Sequence, residues 1–244
     1  MTKIGFLQLN SCSGCMFAVL GSAIFPELLK SADIQVFRLI SDIQSEDHLD
    51  VVFVEGGVTC NEDAELLRRL WTEGTKIIAL GSCAVLGGIM SQSPNMHIDP
   101  VNKFVDPHSS LPGCPPPRRL LGNLLLSAID GSEFELPEKN VCWECPFAQD
   151  QTYEIEITSL HSTHPPKSCF LREGILCLGP ITRAGCEAHC IKGSTPCDGC
   201  MGVLNGNLPA AIANLFSVLK VSETIREYAE LAFRYQKPEL KLKH

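Results

Sequence analysis

The sequence predicts an α/β protein in which a doubly wound parallel sheet is followed by an irregular, Cys-rich second domain. Three observations predict it. Short apolar runs alternate with helix-like stretches as far as Ser132, eight of the thirteen Cys crowd between Cys142 and Cys200, and that later stretch mixes many Gly, Pro and Ser with little periodicity. We read residues 1–132 as the first domain and 133–244 as the second, since 244 residues make one or two domains at roughly 100–200 residues each.

The runs Ile4–Leu9, Ile34–Leu39, Val51–Val54 and Lys76–Leu80 read as strands, three of them rich in β-branched residues. Between them Met16–Lys30 and Asp63–Glu73 have helical spacing, and Arg118–Ile129 reads as a helix entered after a proline stop. This βαβα order implies a parallel, flavodoxin-like sheet. A fifth strand is expected within Val101–Leu111, where Pro107 and the following Pro112 weaken it. Beyond Ser132 the composition lacks the means to build an ordinary core. Two helices close the pattern, Pro209–Leu219, with Ala, Ile, Leu and Phe on one face, and Ser222–Arg234; the tail KPELKLKH reads as solvated.

Composition narrows the function. Apolar residues at 45% and charged residues at 20% are those of a folded globular chain. A net charge of −8 argues against a nucleic-acid backbone as the main partner. The most apolar stretch, Phe17–Phe25, runs into Pro26, well short of the roughly 20 residues of a membrane span. The opening MTKIGFLQLN carries no twin Arg, and Arg118-Arg119 is internal, so the sequence predicts a cytoplasmic protein. Neither G-x-G-x-x-G nor a P-loop is present, so any nucleotide or flavin is expected on another chain. Thirteen Cys in such a chain point to metal ligands or redox centres, because disulfides are rare in a reducing compartment.

In the first domain Cys12 and Cys15 form C-S-G-C after the first strand, Cys83 lies in G-S-C after the fourth, and Cys114 lies in P-G-C-P-P-P. Ligands of an open parallel sheet gather at the carboxyl ends of its strands, which brings the four thiols to one edge. The glycines beside them suit a backbone that approaches a bulky inorganic core. Four thiolates fit tetrahedral zinc or an iron–sulfur cubane. A zinc ribbon carries two C-x2-C knuckles, whereas here there is one, with long separations and a Cys-Pro step that resembles cluster ligation. The second half supplies Cys142-Trp-Glu-Cys145, Cys169, Cys177, Cys186, Cys190 and Cys197-Asp-Gly-Cys200, two further sets of four. With Cys60 set aside, three cubanes or three zinc sites satisfy the same count.

The motifs C-S-G-C, V-E-G-G-V (Val54–Val58), G-S-C-A-V-L-G-G (Gly81–Gly88) and P-G-C-P-P (Pro112–Pro116) together resemble the small subunit of nickel–iron hydrogenases. L-C-L-G-P-I-T-R-A-G-C (Leu176–Cys186) followed by C-D-G-C resembles the cytoplasmic branch of that family, especially the delta subunit of sulfhydrogenases, and the likeness runs from about Lys3 to Gly202. The resemblance implies three 4Fe-4S clusters: a proximal one on Cys12, Cys15, Cys83 and Cys114, a medial one on Cys186, Cys190, Cys197 and Cys200, and a distal one on Cys142, Cys145, Cys169 and Cys177. Exported relatives have a three-iron medial cluster, which Cys190 would complete here, and Cys142 stands where they have a distal His. The implied function is electron transfer between the nickel–iron site of a large subunit, where dihydrogen is split or formed, and a further partner carrying flavin, deazaflavin or iron–sulfur chemistry. The rival readings are a quinone-coupled respiratory iron–sulfur subunit, which lacks the eight-Cys second half, and a zinc-stabilised interaction module.

Other residues draw attention. His161 and His164 precede Cys169 and are read as loop histidines, with a ligand role as the alternative; Cys60 is read as a free buried thiol. Glu55 lies at a strand end, where the family has a glutamate, the bland alternative being a solvated acid. Arg183 and Lys192 are read as surface charges.

Overall fold

The computed structural model describes residues 1–42, 45–148, 155–162, 164–204, 206–221 and 234–236. The chain divides into two compact units, Met1–Leu136 and Pro137–His244.

The first unit is built on β1 (Thr2–Gln8), β2 (Ala32–Phe37), β3 (Val51–Glu55), β4 (Lys76–Leu80) and β5 (Ser109–Leu111), hydrogen-bonded in the order β2-β1-β3-β4-β5 with every neighbouring pair parallel. This is the doubly wound order expected from the βα alternation. Strand β3 is buried along its whole length, as a central parallel strand covered on both faces must be. On one face Phe6 stacks on Phe53 with ring centroids 5.0 Å apart and meets Phe37 at 4.6 Å, and Phe37 takes the edge of Phe25. On the other, Leu7, Val52 and Val54 share a core with Ala64, Leu67 and Leu70 of helix α3 (Asn61–Thr72). Helix α3 keeps those three residues on one stripe, opens with Glu62 and Asp63 and closes with Arg69, in keeping with its macrodipole.

The expected single helix over Met16–Lys30 is two helices, α1 (Gly14–Leu20) and α2 (Phe25–Ser31), bent by 77°. Gly21 ends the first, its N–H returning to the Phe17 carbonyl at 2.9 Å. Pro26 sits in the first turn of the second, where a missing N–H costs nothing. Of the expected fifth strand only Ser109–Leu111 pairs with β4; Val101–Lys103 forms a 3₁₀ turn, and pairing resumes beyond Pro107 with His108 N–H on the Ile77 carbonyl. An unforeseen helix, α4 (Gly81–Leu86), leaves β4 directly and carries Cys83. Helix α5 (Arg118–Asp130) begins after Pro117, buries Leu120, Leu121, Leu124 and Leu125, and stops at left-handed Gly131.

Among its described residues the second unit has little regular structure: β6 (Ile155–Ile157), α6 (His189–Lys192), α7 (Leu208–Val218) and β7 (Leu219–Val221), with β6 and β7 paired in parallel. Contrary to the sequence reading it does own a core, in which Val141, Ile157, Phe170, Leu171, Ile212 and Leu215 pack with Cys177 and Cys197. Loops hold one another where ladders are lacking: Val141 N–H meets the Thr182 carbonyl and Leu178 N–H the Cys197 carbonyl, both at 2.9 Å. Arg183 is no loose surface charge, since its guanidinium donates to the Pro137 carbonyl at 2.8 Å and the Leu204 carbonyl at 2.7 Å. Asn207 caps α7 by accepting from Ala210 N–H at 3.0 Å. The expected helix Ser222–Arg234, apart from Arg234, and the tail lie outside the described residues.

Phe53 is fully buried and central to the aromatic stack, whereas Trp71 on α3 is 53% exposed. In chemical unfolding, Phe53→Ala is expected to cost about 3–5 kcal/mol, while Trp71→Ala stays within roughly 0.5 kcal/mol of the parent.

Candidate functional site

Parallel register sets Gln8 beside Glu55, Glu55 beside Leu80 and Leu80 beside Leu111, so four chain exits stand in one row. Every exit leads into a thiol-bearing loop. Cys12 and Cys15 follow β1, Cys60 follows β3, Cys83 rides on α4 and Cys114 follows β5. Polar contacts fix the loops to one another. Gln8 Nε2 donates to Ser13 Oγ at 2.9 Å, Asn10 and Gly57 exchange backbone hydrogen bonds, and Ser82 N–H meets the Gly113 carbonyl at 3.0 Å while Gly113 N–H returns to Ser82 Oγ at 3.1 Å.

Glu55 is 1% exposed, which removes the solvated-acid reading. Its carboxylate accepts from Cys15 N–H at 3.0 Å and Met16 N–H at 3.2 Å, two donors of the first turn of α1 that have no partner within the helix. Charge-assisted bonds of this kind offset the cost of burying the acid.

Burial, then the Glu55 carboxylate and then the Cys83 and Cys114 sulfurs, push the Cys15 thiol well above the usual thiol range. Burial first, followed by Cys114 and Cys12, pushes Cys83 up to about 11. Cys114 rises through burial and then through Cys12 and Glu55. Cys15, Cys83 and Cys114 therefore each feel charge from other sulfurs of the set. Backbone is laid against them where a side chain would collide. A methyl at Gly81 would stand 2.3 Å from Cys15 Sγ, and one at Gly88 2.5 Å from Cys83 Sγ and 2.8 Å from its Cα; both glycines have positive φ. Such a site suits a group that is larger than one ion and needs close backbone. Among the described residues no three His, Cys, Asp or Glu are disposed to hold a single metal ion.

Cys60 is exposed, not buried as expected, because it stands at the start of α3 with its carbonyl accepting from Ala64 N–H. Its electrostatic neighbours are Asp63 and Glu62 and not the thiol group.

In the second unit Cys142 is the middle residue of a 3₁₀ turn, Val141–Trp143, and Cys145 follows its C-terminal Glu144. Burial and then Cys177, Cys145 and Cys169 push the Cys142 thiol up to about 12. Gly179 lies between two of these sulfurs, a methyl there standing 3.5 Å from Cys177 Sγ and 3.6 Å from Cys142 Sγ. Burial lifts Cys177 to about 11 although Cys197 N–H, 3.3 Å from its Sγ, and the Gly179 backbone pull it down. Cys190 rises through burial, then Cys186, then Asp198. Cys197 rises through burial, then Cys177, with Cys200 a smaller cause. So Cys142, Cys145, Cys169 and Cys177 gather, Cys186 lies near Cys190, and Cys197 lies near both Cys200 and Cys177. His161 is exposed, His164 turns its Nε2 to within 4.0 Å of Glu173, and Lys192 is exposed. The sequence reading passed over Glu144, inside the C-W-E-C turn, whose carboxylate binds the loop of Cys186.

A cleft of about 1260 Å³ in the first unit opens at the opposite edge of the sheet by the starts of β1, β3, β4 and β5, and no cysteine lines it. Cavity size is thus no guide to the chemistry here; the thiol edge is the site.

Residues 12–128 match the family described as NADH ubiquinone oxidoreductase, 20 Kd subunit. The chain is 30% identical over 251 residues to a subunit of the F420-non-reducing hydrogenase of Methanocaldococcus jannaschii, covering 89% of this chain and 87% of that protein. It is 27% identical over 252 residues to the delta subunit of sulfhydrogenase 2 of Pyrococcus furiosus, covering 94% and 99%. A chain of an NAD+-reducing nickel–iron hydrogenase in its dihydrogen-reduced state superposes with a TM-score of 0.50 and 22% identity over 56% of this chain and 95% of that one, a likeness of fold.

Gly88→Ala and Gly74→Ala both put a side chain at positive φ, but only Gly88 faces an obstacle, nothing lying within 4 Å of a methyl at Gly74. Gly74→Ala should lose only the left-handed penalty, about 1–2 kcal/mol. Gly88→Ala should lose more and change the rate at which Cys83 reacts with a maleimide, as read by peptide mapping; equal losses and equal labelling would contradict the packing described.

Proposed function

The chain belongs to the family of hydrogenase subunits that includes the matching subunits of the F420-non-reducing hydrogenases and the sulfhydrogenase delta subunit, and on that premise we propose that it is the electron relay of a cytoplasmic nickel–iron hydrogenase. The catalytic site lies in another subunit. In this reading Cys12, Cys15, Cys83 and Cys114 hold a proximal 4Fe-4S cluster facing the large subunit, Cys186, Cys190, Cys197 and Cys200 a medial one, and Cys142, Cys145, Cys169 and Cys177 a distal one facing a flavin, deazaflavin or iron–sulfur partner. The observation that carries it is the gathering of four electrostatically coupled thiols from three chain exits at one row of strand ends, with glycine backbone against the sulfurs.

A bound cluster supplies a site that takes and gives one electron at a time. The rest is done by this chain. Its thiolates fix the iron, its buried surroundings and Glu55 weigh against added negative charge, and backbone N–H groups on sulfur, such as Cys197 on Cys177, favour it. The two protons of each dihydrogen stay with the catalytic subunit, so these residues have no proton to move. Phe17, Ile89 and Met96 leave 61%, 46% and 39% of their surface exposed, apolar area that a partner would cover in this reading. No single helix among the described residues is long and apolar enough to cross a membrane. A quinone-coupled respiratory subunit accounts for residues 12–128 but leaves eight cysteines of the second unit without work.

Metal analysis of the anaerobically purified complex tests the proposal: about 12 Fe and about 12 sulfide per copy of this chain are expected, together with nickel in the same complex. Zinc in place of iron would sink the reading, and about eight Fe would remove one of the three sets. Cys190→Ala should lose one iron and show a three-iron paramagnetic signal when oxidised.

A further inference from the structure

Glu144 stands between Cys142 and Cys145, yet its half-buried carboxylate belongs to another loop. Both of its oxygens lie 3.0 Å from Gly185 N, and Oε2 accepts from Glu187 N–H at 2.8 Å. The two donors flank Cys186. The loop they belong to is contorted: Gly185, Glu187 and Ala188 have φ of 111°, 56° and 51°, and two of the three are residues for which positive φ is unfavourable. Successive N–H groups in such a turn converge into a concavity that takes an anion. Here the anion is the Glu144 side chain, and it holds the strained turn in place through charge-assisted hydrogen bonds. The same charge adds to burial in pushing the Cys186 thiol up.

We propose that Glu144 is a positioning residue that locks Cys186 in its ligand geometry, ties the Cys142–Cys145 turn to the neighbouring ligand set, and lowers the reduction potential of the cluster that Cys186 holds. The inference rests on the electron-relay reading of the twelve cysteines. When that cluster gains its one electron no bond to Glu144 forms or breaks; the carboxylate keeps its charge and its three hydrogen-bond contacts. A fixed negative charge beside Cys186 disfavours the extra electron, and the low dielectric around a half-buried group strengthens the effect. A side-chain carboxamide at the same position would keep an acceptor for the loop and remove the charge, which separates holding from tuning.

The test is a redox titration followed by paramagnetic resonance, with an iron count, on the complete hydrogenase complex purified anaerobically. Glu144→Gln should keep the parent iron content and move one cluster's midpoint potential upward, leaving the other two where they were; the cluster that moves should be the one altered by Cys190→Ala. Glu144→Ala should lose iron from that cluster, about a third of the total. Unmoved midpoints in Glu144→Gln with full iron in Glu144→Ala would overturn the role of Glu144 and leave the relay standing. A parent complex without iron–sulfur signals would overturn both.

Discussion

Parallel pairing in the first unit brings Gln8, Glu55, Leu80 and Leu111 abreast, and the thiol edge inherits its geometry from that row. A parallel register is defined to the residue, and a slip by one step would carry a loop about 3.3 Å along the sheet and turn every side chain of that strand to the other face. Burial on both faces forbids the slip, because Phe6 and Phe53 belong to one core and Leu7 and Val54 to the other. The packing of side chains remote from any sulfur thus decides where the sulfurs lie. Loop contacts such as the exchange between Ser82 and Gly113 refine positions that the strands have already set.

The second unit reaches a comparable end by other means. Two of its cysteines, Cys177 and Cys197, belong to the core together with Leu178, Ile191 and Val203. Among the described residues only β6 and β7 offer a ladder, so single side chains do what strands do elsewhere. Arg183 gathers the Pro137 and Leu204 carbonyls, and Glu144 gathers the N–H groups on both sides of Cys186. Each is an ionised group satisfied by backbone, an arrangement in which loss of the one side chain strands several buried polar groups.

Much of this was legible in the sequence because it depends on local signals. Lys76–Leu80 and the start of α5 after Pro117 are where apolar runs and proline placed them. The thiols of the first unit were legible through topology, since parallel strands send their exits to one edge. What stayed hidden depends on distant partners. Burial of Glu55 follows from donors on α1, forty residues away in the chain, and Cys60 is exposed because of where α3 begins, with Asn61, Glu62 and Asp63 directly after it. The break between α1 and α2 was visible in Gly21 and Pro26 but was outweighed by the apolar run around them. In the second unit the core was missed because it is assembled from isolated residues such as Phe170 and Ile191, which carry no period of 2 or 3.6.

The bond between Glu55 and the first turn of α1 has a consequence for the life of the chain before any cofactor is installed. Helix N-termini ordinarily sharpen a cysteine into a thiolate, the species that attacks disulfides and peroxides. Here the donors of that turn are occupied by a carboxylate, and burial, with the Glu55 charge adding to it, favours the protonated Cys15 sulfur. A thiol held in this way is a poor nucleophile. The Cys15 sulfur is thereby held back from the cross-linking and over-oxidation to which a reactive thiolate at a helix start would be prone.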